Sequence, residues 1–199
     1  KHGLLDSFFF CFAQSILKGT HRQMMVVKCL MPVNTMRRLM VAVPPKGEFE
    51  AGFYKWVDRL ARIGGQLGCR VHFWAHPDTI LRINGYLKKF HGNVRVEFSP
   101  MDDWDDLLLM SSKVAYDHLV VIVSARKGAI SYQSSFEELP TQITKYFSNC
   151  SLMLIYPDQL GDPLENLTFS SPRGQSENPI YDHVSKWVYK WMKKGEEQG

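Results

Sequence analysis

Residues 118–128 read His118-Leu119-Val120-Val121-Ile122-Val123-Ser124-Ala125-Arg126-Lys127-Gly128. The run 119–123 is apolar at every position and has the length of a strand, so it predicts a strand buried on both faces. A polar loop from Ser124 to Gln133 follows its carboxyl end. Ser134 or Ser135 then begins a helix, with Glu137 or Glu138 three residues on, the spacing of a capping box. That helix carries Phe136, Leu139, Ile143 and Phe147, and Pro140 falls in its first turns, where proline is tolerated. Residues 151–156 (SLMLIY) form the next strand, and in this reading the last.

Moving back toward the amino end, residues 104–115 predict a helix introduced by Asp102, Asp103, Asp105 and Asp106, acids that complement the positive end of a helix dipole. Residues 94–98 predict a strand. Residues 78–90 predict a helix capped by Asp78 or Thr79. Residues 70–75 (RVHFWA) predict a strand, and residues 49–67 a helix on the spacing of Phe53, Trp56, Val57, Leu60, Ile63 and Leu67. Residues 38–43 (RLMVAV) predict a strand closed by Pro44-Pro45, which cannot continue a central ladder. Strands and helices therefore alternate from Arg38 to Tyr156. Such an order implies a mainly parallel, five-stranded sheet covered on both sides, a doubly wound, Rossmann-like α/β fold.

Two further segments flank this unit. Residues 7–18 predict a buried helix and residues 24–30 a buried strand followed by Pro32. The layout of residues 12–31 (helix, short polar turn, apolar strand, proline) recurs at 139–157. Met24-Met25-Val26-Val27 aligns with Leu152-Met153-Leu154-Ile155, which suggests a tandem array. Residues 1–35 are then the tail of a preceding copy, residues 36–158 the domain proper, and residues 159–199 a loop with a carboxyl-terminal helix. The chain opens on Lys1 and runs at once into an apolar stretch, so it is expected to be a piece of a longer protein. No run of about 20 apolar residues is present to span a bilayer.

The 199 residues carry a net charge of +4 with lysine and arginine scattered, so nucleic-acid binding is not expected. The four cysteines, Cys11, Cys29, Cys69 and Cys150, contain no C-x-x-C pair and fit a reducing compartment. His72 and His76 lie four apart on a strand, roughly 13 Å, too far to share one ion with Asp78. The Asp102–Asp106 cluster lacks the spacing and glycine of a calcium loop, so no metal site is expected. No nucleophile elbow, P-loop or zinc-protease motif occurs, and the chain is expected not to be an enzyme.

The strand order, the polar loop after the fourth strand and the short final helix-strand resemble the universal stress protein domain over residues 36–158. The stretch from Ile16-Leu17-Lys18 through Met36-Arg37-Arg38 to Pro44-Pro45-Lys46 is similar to the cytosolic carboxyl-terminal region of bacterial sodium (or cation)/proton antiporters, in which tandem stress-protein-like domains follow the transporter. The resemblance implies a regulatory domain on the cytoplasmic face of the inner membrane, partnered by the transmembrane antiporter part, and homodimeric, since stress-protein domains pair through their last strand. A free-standing stress-protein-like nucleotide-binding protein is the alternative.

Family members that bind ATP have an acidic residue after the first strand and a loop G-x-x-G, nine residues, G-[S/T] after the fourth. Here the first strand ends in Val43-Pro44-Pro45. Ser124 stands for the first glycine, Gly128 lies near the second, and Ser134-Ser135 replaces the final pair. Arg126 and Lys127 favour a phosphate; Glu137 and Glu138 oppose one. The candidate cofactor-binding residues are therefore Ser124, Arg126, Lys127, Gly128, Ser134 and Ser135, with ATP or another nucleotide as the ligand such a loop would take. A capped surface loop without any cofactor is the expectation.

Residues 180–194 predict an amphipathic helix with Trp187 and Trp191 on its apolar face and Lys186, Lys190, Lys193 and Lys194 off it. It suits an anionic membrane surface, or docking on its own domain or a dimer mate.

Overall fold

The computed structural model of the protein describes residue 13 and residues 15–160. The expected carboxyl-terminal helix, with Trp187 and Trp191, lies outside the described residues, as does most of the helix expected over 7–18. Ala13 and residues 15–17 of that helix are helical.

One six-stranded sheet organises the chain. Its strands are β1 (Met24–Lys28), β2 (Arg38–Ala42), β3 (Arg70–Ala75), β4 (Val96–Pro100), β5 (His118–Val123) and β6 (Ser151–Tyr156), in the spatial order β1-β6-β5-β2-β3-β4. The pairs from β6 to β4 are parallel, and β1 joins β6 antiparallel at the edge. The sheet thus has six strands rather than five. β1, expected in the tail of a preceding repeat, completes the open edge of β6 and gives its backbone groups partners.

Between the strands run α1 (Phe53–Leu67), α2 (Pro77–Phe90), α3 (Leu107–Ser111) and α4 (Leu139–Tyr146). On one face α1 presents Phe53, Trp56, Val57 and Leu60, and α2 presents Ile83 and Leu87, to Leu39, Val41, Phe73 and Val121 of the sheet. On the other face α3 and α4 bring Leu107, Met110, Leu139 and Ile143 onto Met40, Trp74, Val120, Ile122 and Leu154. Alternate residues of each central strand feed opposite cores, which is why their sequences are mostly apolar after the first residue. Each large side chain so buried contributes about 1.5–3 kcal/mol before ordering costs.

Several boundaries differ from the expectation. The helix expected from Phe49 begins at Phe53, after a 3-10 turn over Gly47–Phe49. The cap of α2 is His76, whose Nδ1 accepts the Asp78 N–H at 3.3 Å, with Pro77 in the first turn. It is neither Asp78 nor Thr79, because Pro77 has no N–H to satisfy and so fits the first helical position. The helix expected over 104–115 is a 3-10 turn followed by the short α3. The Ser111 and Ser112 hydroxyls donate to the carbonyls of Leu108 and Leu109, at 2.7 Å each, at the point where the helix ends. Ser134 and Ser135 open a 3-10 turn rather than a capping box; its cap position is Gln133, with no side-chain cap bond, and α4 starts at Leu139.

Candidate functional site

The chain order reverses between β2 and β5: β2, β3 and β4 step outward one way, β5 and β6 the other. In open α/β sheets the crevice at the carboxyl ends of such strands is the usual ligand position. Here that crevice lies between the loop after β2 and the loop after β5.

Protein groups fill it. Glu50 Oε1 accepts from Ser131 twice, from the N–H at 2.9 Å and from the hydroxyl at 2.7 Å. Glu48 Oε2 accepts from the fully buried Thr79 hydroxyl at 2.6 Å. The loop after β2 is thereby tied to the loop after β5 on one side and to α2 on the other. The loop after β6 closes a third side. Asp158 is buried and accepts from Lys55 Nζ at 2.6 Å. Its backbone lies so close to Gly52 that a Cβ at Gly52 would stand 2.4 Å from the Asp158 nitrogen. Burial opposes the Asp158 charge, but Lys55, the Leu160 N–H and Arg22 outweigh it and hold the carboxyl below its ordinary value.

A cavity of about 510 Å³ opens beside this arrangement, on the β1–β6 side, with Ser124, Arg126, Lys127, Glu137, Tyr156 and His21 on its walls. Ser124 is buried, and its N–H donates to the Ile155 carbonyl at 2.8 Å. The Arg126 guanidinium donates to the carbonyls of Pro157 and Arg22, the latter at 2.7 Å. Burial lowers its pKa, against the pull of Asp158, Tyr156 and Glu50. Burial likewise raises the Tyr156 phenol, which is hydrogen-bonded to Ser124. Lys127 lies 3.6 Å from Glu137 at the exposed rim.

Of the six candidate residues, three (Ser124, Arg126 and Lys127) share this cavity, and Gly128, Ser134 and Ser135 do not line it. Gly128 has φ +92°, a backbone shape that glycine adopts without strain, so the turn itself calls for glycine there. Glu48, Glu50, Lys55, Ser131 and Asp158 were missed by the sequence reading. They come from four separate segments, and only Gly52, just ahead of a helix, carries any local signal.

Among the described residues no group of three or more His, Cys, Asp or Glu could hold a metal ion, and no helix is long and apolar enough to cross a membrane. His72 Nε2 lies 2.8 Å from the Ser99 hydroxyl, apart from His76.

No protein-family model, curated protein or solved structure matches this chain.

Proposed function

We propose that the chain is a non-catalytic regulatory domain of the universal stress protein type, serving the membrane part of a bacterial cation/proton antiporter from the cytoplasmic side. It works by domain pairing, with no obligatory cofactor.

The observation that carries this proposal is the register of β1 on β6. Val26 sits opposite Leu154, Met25 opposite Ile155 and Val27 opposite Met153. The sequence alignment equates Val26 with Leu154, Met25 with Met153 and Val27 with Ile155. The central pair is therefore a position facing its own equivalent, and the flanking pairs exchange across it. That is the signature of a two-fold, isologous contact. It supports β1 as the last strand of one stress-protein-like copy paired with the last strand of the next. The internal closure of the switch-point crevice, by Glu50 on Ser131 and Asp158 on Lys55, supports a role that does not depend on ATP.

The test has two parts. The reading frame that encodes this chain should contain a transporter, and removing the codons for residues 36–158 should change its cation-dependent proton transport in membrane vesicles. Unchanged rate, ion dependence and pH response would sink the proposal.

One observation favours the alternative, a nucleotide-binding stress protein: Arg126 and Lys127 reach a cavity of about 510 Å³. A nucleotide at 100 times its dissociation constant adds about 2.7 kcal/mol, a rise of roughly 5–10 °C in Tm for a chain of this size. Such a shift with ATP would favour the alternative.

A further inference from the structure

The opposite pole of the sheet, at the amino ends of the parallel strands, carries a second polar cavity of about 560 Å³. Four arginines line it: Arg37, Arg38, Arg70 and Arg95, together with His118 and Thr35. The topology gathers them. Arg38, Arg70 and His118 are the first residues of β2, β3 and β5, and Arg38 is in register with both of the others. Residues in register on neighbouring strands point to the same face about 4.8 Å apart. Arg37 and Arg95 immediately precede β2 and β4.

The negative groups nearby do not balance this charge. Glu97 bridges Arg38 and Arg70, at 2.9 and 2.5 Å, and Asp117 lies 3.7 Å from His118 Nε2. Neither carboxylate lines the cavity, so among the described residues four guanidiniums against two acids leave two positive charges in excess. The carboxyl end of α1 also opens here and repels anions, but Arg95 already donates to the Gly68 carbonyl at that end. Among the described residues the Arg37 guanidinium makes no hydrogen bond or ion pair, and Arg37 is exposed. Each guanidinium carries five N–H donors in a planar fork, and internal partners use only a few of them.

We propose that this cavity binds a phosphate-bearing anion. Phosphate fits better than carboxylate, because its several terminal oxygens can accept from adjacent forks at once. Among the described residues, no aromatic ring other than His118 lines the cavity to stack a nucleobase. The ligand is therefore a compact group, either a soluble diphosphate or the phosphate headgroup of an anionic lipid. This site is separate from the loops at the carboxyl pole and does not rest on the antiporter proposal.

The experiment titrates the full 199-residue chain at low salt with pyrophosphate by calorimetry, and with phosphatidylcholine vesicles with and without phosphatidic acid by co-sedimentation. Arg37→Gln and Arg95→Gln should each weaken binding about tenfold, the loss of a charged hydrogen-bonding group. Arg59→Gln, an exposed arginine outside the cavity, should leave it unchanged. Thermal unfolding of each variant confirms that it is folded. Arginine-dependent binding of pyrophosphate identifies a soluble ligand. Binding confined to phosphatidic acid vesicles, with the same dependence, identifies a lipid headgroup. Binding of neither probe, or equal loss in all three variants, overturns the proposal.

Discussion

Glu50 Oε1 holds both the N–H and the hydroxyl of Ser131, 81 positions along the chain, at 2.9 and 2.7 Å. One carboxylate oxygen thus spans the point where the sheet order reverses. Ser131 is buried, so Glu50→Ala strands a buried N–H and a buried hydroxyl. The expected cost is about 2 kcal/mol, read as a lower urea midpoint. Ser131→Ala removes only the hydroxyl and should cost about 1 kcal/mol. The double variant should lose less than the two together, with a coupling of at least about 0.5 kcal/mol. Strict additivity would mean that the contact does not hold the loops.

Two glycines should respond in opposite directions to the same substitution. At Gly52 a Cβ would meet the Asp158 backbone, at 2.4 Å from its nitrogen and 2.7 Å from its oxygen. Backbone cannot swing aside as a side-chain tip can, so Gly52→Ala should destabilise by about 1–3 kcal/mol or more. Gly85 lies inside α2 with nothing within 4 Å of its Cβ position. Gly85→Ala should therefore stabilise by about 0.4–1 kcal/mol, chiefly by restricting the unfolded chain. Thermal unfolding of the two variants side by side tests the pair. Stabilisation by Gly52→Ala would contradict the close packing of the loop after β6 on α1.

Acid should weaken the fold in two stages. His72 and His118 have pKa values lowered from the ordinary 6.5, first by burial and then by neighbouring positive charge, with Glu97 and Asp117 pulling the other way. Their hydrogen bonds fit the neutral ring: the Ala115 N–H donates to His118 Nδ1 at 3.1 Å, and Arg38 Nη1 lies 3.4 Å from His72 Nδ1. The unfolded chain then binds more protons than the folded one as pH falls through 6.5, so stability falls with pH there. Asp58, opposed by burial but held by Arg62 and His91, and Asp158, held by Lys55, have pKa values below the ordinary 3.8. Their contribution is present above 3.8 and is lost as pH drops through the folded values. Urea midpoints should decline between pH 7.5 and 5.5 and again below about pH 4. A rise over the first interval would mean that the histidines are charged in the folded state.

The central strands were legible because burial on both faces leaves them mostly apolar beyond a polar first residue: β3, β5 and β6 begin and end where the sequence predicts, and β2 ends one residue early. β4 was placed two residues too early. Val94 looks like a strand residue, but its N–H turns back to the His91 carbonyl. The strand instead runs on to Pro100, which an edge strand tolerates at its end. At the site, the polar loop after β5 was legible from its composition. Its partners were not. Glu50, Arg22 and Pro157 reach it from loops that only the tertiary fold brings together, and no local spacing announces such contacts. No acid directly follows Pro44-Pro45, yet Glu48 and Glu50 come within a few residues and are engaged by the protein itself.

The β1–β6 pairing makes the sharpest prediction about assembly. Every residue of β6 is buried, and β1 supplies the only partner on its outer edge among the described residues. A chain beginning at residue 33 would expose that edge, a row of unpaired N–H and C=O groups on an apolar strand. If β1 imitates the last strand of a second copy, the shortened chain should replace it with another β6. The dimer would pair antiparallel about Leu154, the position opposite Val26 in the present register. Sedimentation should then show a monomer for the 199-residue chain and a concentration-dependent dimer for the shortened one. In that dimer the Leu154 residues of the two copies would face each other, so Leu154→Cys should cross-link under oxidation while Leu119→Cys, on the interior β5, should not. A folded, monomeric shortened chain would show that β6 does not need a strand beside it. It would also count against β1 as a stand-in for the last strand of a second copy, on which the paired-domain function rests.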